Sequence, residues 1–407
     1  MNKRLQAVQP SPTLALNEKA SQLREQGKDL IHLGIGEPQN ECPSQAVRYA
    51  SDTLAARKVK YSPTGGDPGL KDQIVDYTKK YYGRTPAHNQ VMVTVGAKQS
   101  LANLLFALLN PGDEVILLAP YWVSYPEMTR LAGALPVIVP PREDLLPTLQ
   151  DIKKARSPAT RVIILNSPNN PSGVVYPPEL IAALVDFCET EDIYLIMDDI
   201  YHQLVFPGNK WVPGYVFSSQ DIEHSRIIVV NGISKTFGMT GFRVGWTVAP
   251  TPIIDALKVI QGHTTSGTSI LLQEGARGAL AAGREPIENL KDFIQTNQDL
   301  LLAGLRKIPG VRVTQPGGTF YCFPDFSSLY PDSTELADLL LSEAYLVTVP
   351  GGAFGMDGHL RLSCVGPPER ISESIRRFRW VLDPEAPRTI TMGNQEHTCT
   401  WKRSREG

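Results

Sequence analysis

The chain has 407 residues, 42% of them hydrophobic and 20% charged, with a net charge of −2. That length allows two domains, or one large domain with an elaboration, around a sizeable core. The near-zero charge gives no reason to expect nucleic acid or an anionic membrane surface as partner, and no apolar run approaches the ~18 residues of a membrane span.

Residues 1–30 have a Pro-rich start followed by a helical pattern, LNEKASQLREQGK. The basic beginning, MNKRLQAVQPSPTLALNEK, lacks an apolar core, so no signal peptide is expected. QVMVTV (90–95) reads as a buried strand, then Gly96, then a helix carrying Leu101, Leu104, Leu105, Leu108 and Leu109. PGDEVILLAP (111–120) is a turn and a strand. RVIILN (161–166) is a strand ending in a breaker-rich turn, SPNNPSG. ELIAALVDFCET (179–190) has helical periodicity, and IYLIMD (193–198) and RIIVVN (226–231) are further strands. Apolar strands alternating with helices predict an α/β fold: a largely parallel sheet with both faces covered. Beyond about residue 285 come a long helix, ENLKDFIQTNQDLLLAGLRKI, and short strands at VRVTQ, GTFYCFP and LRLSC, an α+β pattern.

The predicted organisation is a large domain over 46–288 and a smaller α+β domain from both chain ends, 1–45 and 289–383. Residues 384–407 are polar and read as a tail, ordered only if docked. The five cysteines, Cys42, Cys188, Cys322, Cys364 and Cys399, are odd in number, far apart and without a C-x-x-C pair. They predict no disulfide framework and no zinc site, and they fit a reducing, cytoplasmic compartment.

Ligands of open parallel sheets bind outside the carboxyl ends of the strands. Four features fall there: Gly96-Ala97-Lys98, SPNNPSG with Asn170, Asp198, and Lys235 in NGISKTFGMTGFRVGW. A glycine-led helix start offers N–H groups to a phosphate, and Arg243 adds a bidentate grip. A lysine amine condenses with an aldehyde once it loses its proton. A buried aspartate holds a protonated pyridine nitrogen. Phosphate, aldehyde and pyridinium together describe pyridoxal 5′-phosphate.

The motifs LGIGEP, KYSPTGG, VTVGAKQSL, PYWVSYPEM, NSPNNPSG, DDIY, NGISKTFGMTGFRVG and HLRLS occur in that order between about residues 4 and 382. On these motifs the sequence resembles the class I aminotransferases of pyridoxal-phosphate fold type I, in their bacterial aspartate-aminotransferase-like branch. The resemblance implies roles for individual residues. Lys235 is the Schiff-base lysine and the base for proton transfer, and Asp198 pairs with the pyridine nitrogen. Tyr201 and Asn170 bind the ring oxygen, and Trp122 stacks on the ring. Gly96, Ala97, Ser234 and Arg243 form the phosphate cup. Tyr61 reaches the phosphate of a neighbouring subunit, so a homodimer is implied. Arg361, with Gly36 and Asn170, binds the substrate α-carboxylate. Lys98, with Ser11 and Thr13, is associated with the distal carboxylate of aspartate or glutamate.

Two departures from the family pattern stand out. After G-E-P the family usually has an acidic residue and an aromatic, and here Gln39-Asn40. The usual D-E-I-Y is Asp198-Asp199-Ile200-Tyr201. Plainer readings coexist with these roles. Asp198 suits a helix N-cap, and Asp198, Asp199 and His202 are possible ligands for a divalent ion, although no further ligand is evident and Asp199 also reads as solvated. Trp122 and Tyr121 suit a core, and SPNNPSG is explained as a turn. Gly34-x-Gly36 lacks a third glycine, so no dinucleotide site is expected. The expected activity is transamination between an amino acid and a 2-oxo acid. A lyase or decarboxylase on the same scaffold is the alternative, and a non-enzymatic cofactor-binding protein is the third reading.

Overall fold

The apolar runs between residues 91 and 248 assemble into one seven-stranded sheet. Its strands are β1 (Val91–Thr94), β2 (Glu114–Leu118), β3 (Leu135–Val139), β4 (Thr160–Asn166), β5 (Tyr194–Asp198), β6 (Ile227–Gly232) and β7 (Gly245–Val248). They lie in the order β1-β7-β6-β5-β4-β2-β3, parallel except for β7, which runs antiparallel to both its neighbours. The computed structural model describes residues 3–9 and 12–400.

Successive side chains leave a strand on opposite faces, and here both faces are apolar. Ile163, Leu165, Leu195, Met197 and Val229 join one core. Val162, Ile164, Ile196, Ile228 and Val230 join the other, under the helices Ala97–Leu108 and Thr251–Gly262. Truncating a central residue such as Ile164 costs about 2–5 kcal/mol, the transfer loss plus the cavity left behind. The helices Ser44–Ala55 and Ile270–Ala281 meet closely because residue 278 is glycine; a Cβ there would overlap the Gln45 carbonyl oxygen.

A further core joins Ile31 and Leu33 to residues between 301 and 399. Ile31–His32 pairs in parallel with Leu346–Val347. The strand Leu360–Ser363 lies between Tyr321–Cys322 and Val349–Pro350. VRVTQ forms no strand; Arg312 makes a single bridge to Asp325, between Gly310 on one side and Pro316-Gly317-Gly318 on the other. Residues 384–400, read from sequence as a polar stretch ordered only if docked, contain two strands packed on this core. Thr389–Met392 and Gln395–Thr398 form an antiparallel hairpin through a Gly393-Asn394 turn, with Ile390 and Met392 inward and Thr389 and Thr391 outward. No helix among the described residues is long and apolar enough to cross a membrane.

The sheet topology brings several chain segments to one rim. β4 ends at Asn166 beside the end of β5 at Asp198, and Asp198 pairs in register with Val230 of β6. Gly96 follows β1, which points the same way.

Candidate active site

At this rim lies a cavity of about 760 Å³. Its walls include Gly36, Ala97, Lys98, Trp122, Asn170, Asp198, Tyr201, Ser234, Lys235, Arg243 and Arg361. These residues come from seven of the eight quoted motifs, all but KYSPTGG, and Gly36 and Arg361 are 325 positions apart in sequence (361 − 36).

Asp198 ends β5 and is buried. Its Oδ2 accepts a hydrogen bond from the Tyr125 hydroxyl at 2.7 Å, while Oδ1 is buried without a partner. A buried carboxylate oxygen with no donor is costly, so this oxygen marks a place for a donor that the chain does not itself supply. Burial pushes the Asp198 carboxyl up to about 6, against the opposing pull of Tyr125, the Lys235 charge and the Ile200 amide, which approaches the carboxyl without a well-formed hydrogen bond. Asn166 fixes the strand end: its Nδ2 donates to the Asp198 carbonyl at 2.7 Å and its Oδ1 accepts from the Asn170 amide at 2.7 Å.

Lys235 follows β6 and donates to the Gly36 carbonyl. Burial first, then the Arg361 charge, lower its amine to about 8. Its apolar neighbours in sequence, Ile233 and Phe237, are both buried, which explains why a lysine sits in such company: the flanking residues anchor the segment in the core.

Gly96 has φ +76, and a Cβ added there would lie 2.7 Å from Arg243 Nη2. Glycine thus serves both the left-handed backbone and the close approach of the guanidinium. The helix Ala97–Leu108 starts without a side-chain cap, leaving its first N–H groups turned to this corner. Arg243 itself is left-handed, φ 52, and its Nη1 donates to the Thr240 carbonyl at 3.0 Å. An uncapped helix start beside a guanidinium suits a phosphate.

Across the cavity, Arg361 is buried. Its Nη1 donates to Asn170 Oδ1 at 3.2 Å and its Nη2 to the Gly34 carbonyl at 3.1 Å. The guanidinium carbon lies 4.4 Å from the Tyr321 ring centre and 5.2 Å from that of Phe354. An arginine set against aromatic rings and held by two hydrogen bonds can present its fork to a carboxylate. Tyr201 is buried, and burial and then Tyr321 raise its phenol, so it keeps its proton. The Lys98 ammonium lies 4.8 Å from the Trp122 ring centre.

Some predicted residues lie elsewhere. Tyr61 is outside this cavity and 96% exposed. Ser11 and the side chain of Thr13 lie outside the described residues. Asp199 is not solvated: it is fully buried on the opposite side of β5, because adjacent residues of an extended strand alternate. The divalent-ion reading fits poorly, since both His202 ring nitrogens are engaged, by Tyr77 Oη at 2.9 Å and the Asp199 carbonyl at 2.8 Å. Tyr125, Asn166 and Tyr321 were not singled out from sequence. Tyr125 was findable: it lies three residues after Trp122, and the two rings meet edge-on at 5.5 Å.

The comparisons with known proteins agree with this geometry. The model of the family "Aminotransferase class I and II" matches residues 28–378. The aspartate/prephenate aminotransferase of Thermus thermophilus is 39% identical over 387 residues, covering 94% of this chain and 98% of that protein. The aspartate aminotransferase of Bacillus subtilis is 34% identical, covering 93% and 97%. The solved structure of the aspartate aminotransferase from Thermus thermophilus with maleate superposes with a TM-score of 0.89 at 38% identity, covering 94% of this chain and 99% of that one. With its fold, its sheet-end cavity and these full-length similarities taken together, the chain belongs to the class I and II aminotransferases.

Proposed function

We propose that this aminotransferase uses pyridoxal 5′-phosphate to move an amino group between a dicarboxylic amino acid and a 2-oxo acid such as 2-oxoglutarate, in two half-reactions, as a cytoplasmic homodimer. The observation that carries the reading is the Asp198 carboxylate. One oxygen is committed to Tyr125 and the other is buried without a donor, in the same cavity as the Lys235 amine. That vacant acceptor, the Gly96–Arg243 corner and the lysine fit the ring nitrogen, the phosphate and the aldehyde of this cofactor.

When bound, the cofactor supplies a carbonyl that condenses with amines and a ring that withdraws electrons from the substrate α-carbon. The chain's own residues do the rest. Asp198 Oδ1 accepts the N–H of the ring nitrogen and, as an anion, keeps that proton in place. Tyr201 and Asn170 donate to the ring oxygen. The Gly96 and Ala97 corner, Ser234 and Arg243 hold the phosphate, and Trp122 covers a ring face. Arg361 grips the substrate α-carboxylate with its fork, helped by Gly36 and Asn170. Lys235 Nζ, whose lowered proton affinity raises the neutral fraction of the amine, would be the base for the proton on the substrate α-carbon. Tyr61, standing in solvent in one chain, is suited to a second copy that covers it. Five cysteines, odd in number and without a C-x-x-C pair, support a reducing compartment.

The test of the reaction is stoichiometric. Pure protein given aspartate or glutamate and a 2-oxo acid forms the exchanged pair in equal amounts, without free ammonia. Ammonia released with no acceptor present would instead support the lyase.

Tyr125→Phe removes one of the donors that keep Asp198 ionised. A hydrogen bond to a charged group contributes about 1.5–3 kcal/mol, so cofactor affinity falls about tenfold or more at neutral pH. Unchanged affinity, measured by titrating cofactor into the variant, would show that Tyr125 does not support that pairing.

Lys98 is the distal-carboxylate candidate, supported by its cation in the cavity wall. Lys98→Ala raises KM for aspartate and glutamate about tenfold or more, on the same scale for a charged hydrogen bond, and leaves neutral amino acids nearly unchanged. An equal rise for neutral substrates would reassign Lys98 to the cofactor or to structure.

A further inference from the structure

Behind the floor of the cavity lies a second carboxyl group that the proposed reaction does not use. Asp199 is fully buried and is absent from the cavity wall. Around it stand Tyr77 and Tyr82 from the helix Pro68–Tyr82, together with His202, Trp211 and Tyr215. Each of these is neutral. Burial lowers His202 to about 4 and raises Tyr77, Tyr82 and Tyr215. Arg84 is the cation on this side, and its charge acts on Tyr215, whose carbonyl it hydrogen-bonds at 3.0 Å. No described Lys, Arg or His forms an ion pair with Asp199, and neither of its carboxyl oxygens has a well-formed hydrogen bond. Tyr82 and Trp211 approach it and pull downward, too weakly to offset burial and the neighbouring Asp198 charge, which push it up to about 8.

A carboxylate in such a place is a buried charge without a counter-ion, which proteins avoid by keeping the proton. The main chain of Asp199 is fixed as well: its N–H donates to the Val230 carbonyl at 2.9 Å, and its carbonyl accepts from His202 Nδ1 at 2.8 Å.

We propose that Asp199 is a positioning residue for Asp198: it stands as a neutral carboxylic acid beneath the floor, so that Asp198 is the one anion facing the ring nitrogen. The inference rests on the reading of Asp198 as the partner of that nitrogen. An ionised Asp199 would push Asp198 toward its protonated form, and a protonated Asp198 no longer attracts the ring proton as an anion does.

The experiment compares wild type with Asp199→Asn, whose amide copies the neutral acid. Unfolding midpoints are measured on cofactor-free protein from pH 4.5 to 9. The unfolded chain releases this proton near the ordinary aspartate value of 3.8, and the folded chain holds it to about 8. The unfolded state therefore binds fewer protons across that window, and wild-type stability falls there with rising pH relative to the Asn variant, levelling off above it. The expected result is similar midpoints near pH 4.5, and at pH 8 a midpoint several degrees higher for Asp199→Asn. A difference that does not change with pH would mean Asp199 is ionised when folded, and would overturn the proposal. Asp199→Leu, also uncharged and of similar volume, serves the same comparison if the Asn variant does not fold. Failure of wild type to bind cofactor would count against the functional reading instead, while the stability comparison, made without cofactor, still decides the state of Asp199.

Discussion

Lys235→Ala is expected to lower turnover by about 10⁴-fold or more, since in its proposed roles Lys235 is both the amine that holds the cofactor and the base that moves the proton, and a positioned base alone contributes about 10²–10⁴-fold. Wild type treated with borohydride in the presence of cofactor becomes labelled on Lys235; the variant does not. The reason is in the surroundings. Ile233 and Phe237 anchor the segment, and burial together with the Arg361 charge lowers the amine to about 8. At pH 7 about 10% of such an amine is neutral, against about 0.03% for an ordinary lysine. Capture of cofactor by the cofactor-free enzyme therefore rises about tenfold per pH unit below 8 and flattens above it. Labelling at another lysine, or full turnover in the variant, would remove Lys235 from its role.

Asp198→Asn is expected to slow proton abstraction about 10²–10³-fold, the scale for losing one preorganised electrostatic contact to the reacting system. It also weakens cofactor retention, because a neutral amide does not hold a ring proton as a carboxylate does. Stopped-flow rates of the first half-reaction check this. The variant keeps the shape of Asp198 and its neighbours Asn166 and Tyr125, so a near-normal rate would mean that another group holds the ring nitrogen.

Much of the sheet was legible because its strands are buried on both faces and read as continuous runs of Val, Ile and Leu. β4, β5 and β6 appear in the sequence within a residue or two of their bounds. β7 did not, since it is four residues long, begins with Gly245 and runs antiparallel between parallel neighbours. The hairpin at 389–398 was hidden for a similar reason: its alternation lasts only four residues, and its two inward residues matter only once the core of Leu301, Phe378 and Trp380 exists to receive them.

The residues lining the cavity were legible through their motifs, most of which fall at strand ends. What sequence alone concealed were the supporting contacts. Tyr125 looks like a core aromatic until its hydroxyl is seen to meet Asp198. Asn166 looks like the start of a turn until both ends of its amide are seen to tie Asp198 to Asn170. Asp199 was misread because carboxylates are rarely buried, and only its place on the far face of β5 explains why this one is. The Gln39-Asn40 departure is also located: Asn40 packs on Gly238, in the same loop as Lys235, and a Cβ at Gly238 would overlap the Asn40 amide.

The most direct test of the account is a single half-reaction. The pure, cofactor-loaded protein is mixed with one amino acid at a time, with no acceptor present, and the visible spectrum is followed. Glutamate and aspartate are expected to convert the cofactor band to that of its aminated form, and 2-oxoglutarate to restore it. A cofactor band that no amino acid converts, across the full panel, would contradict it.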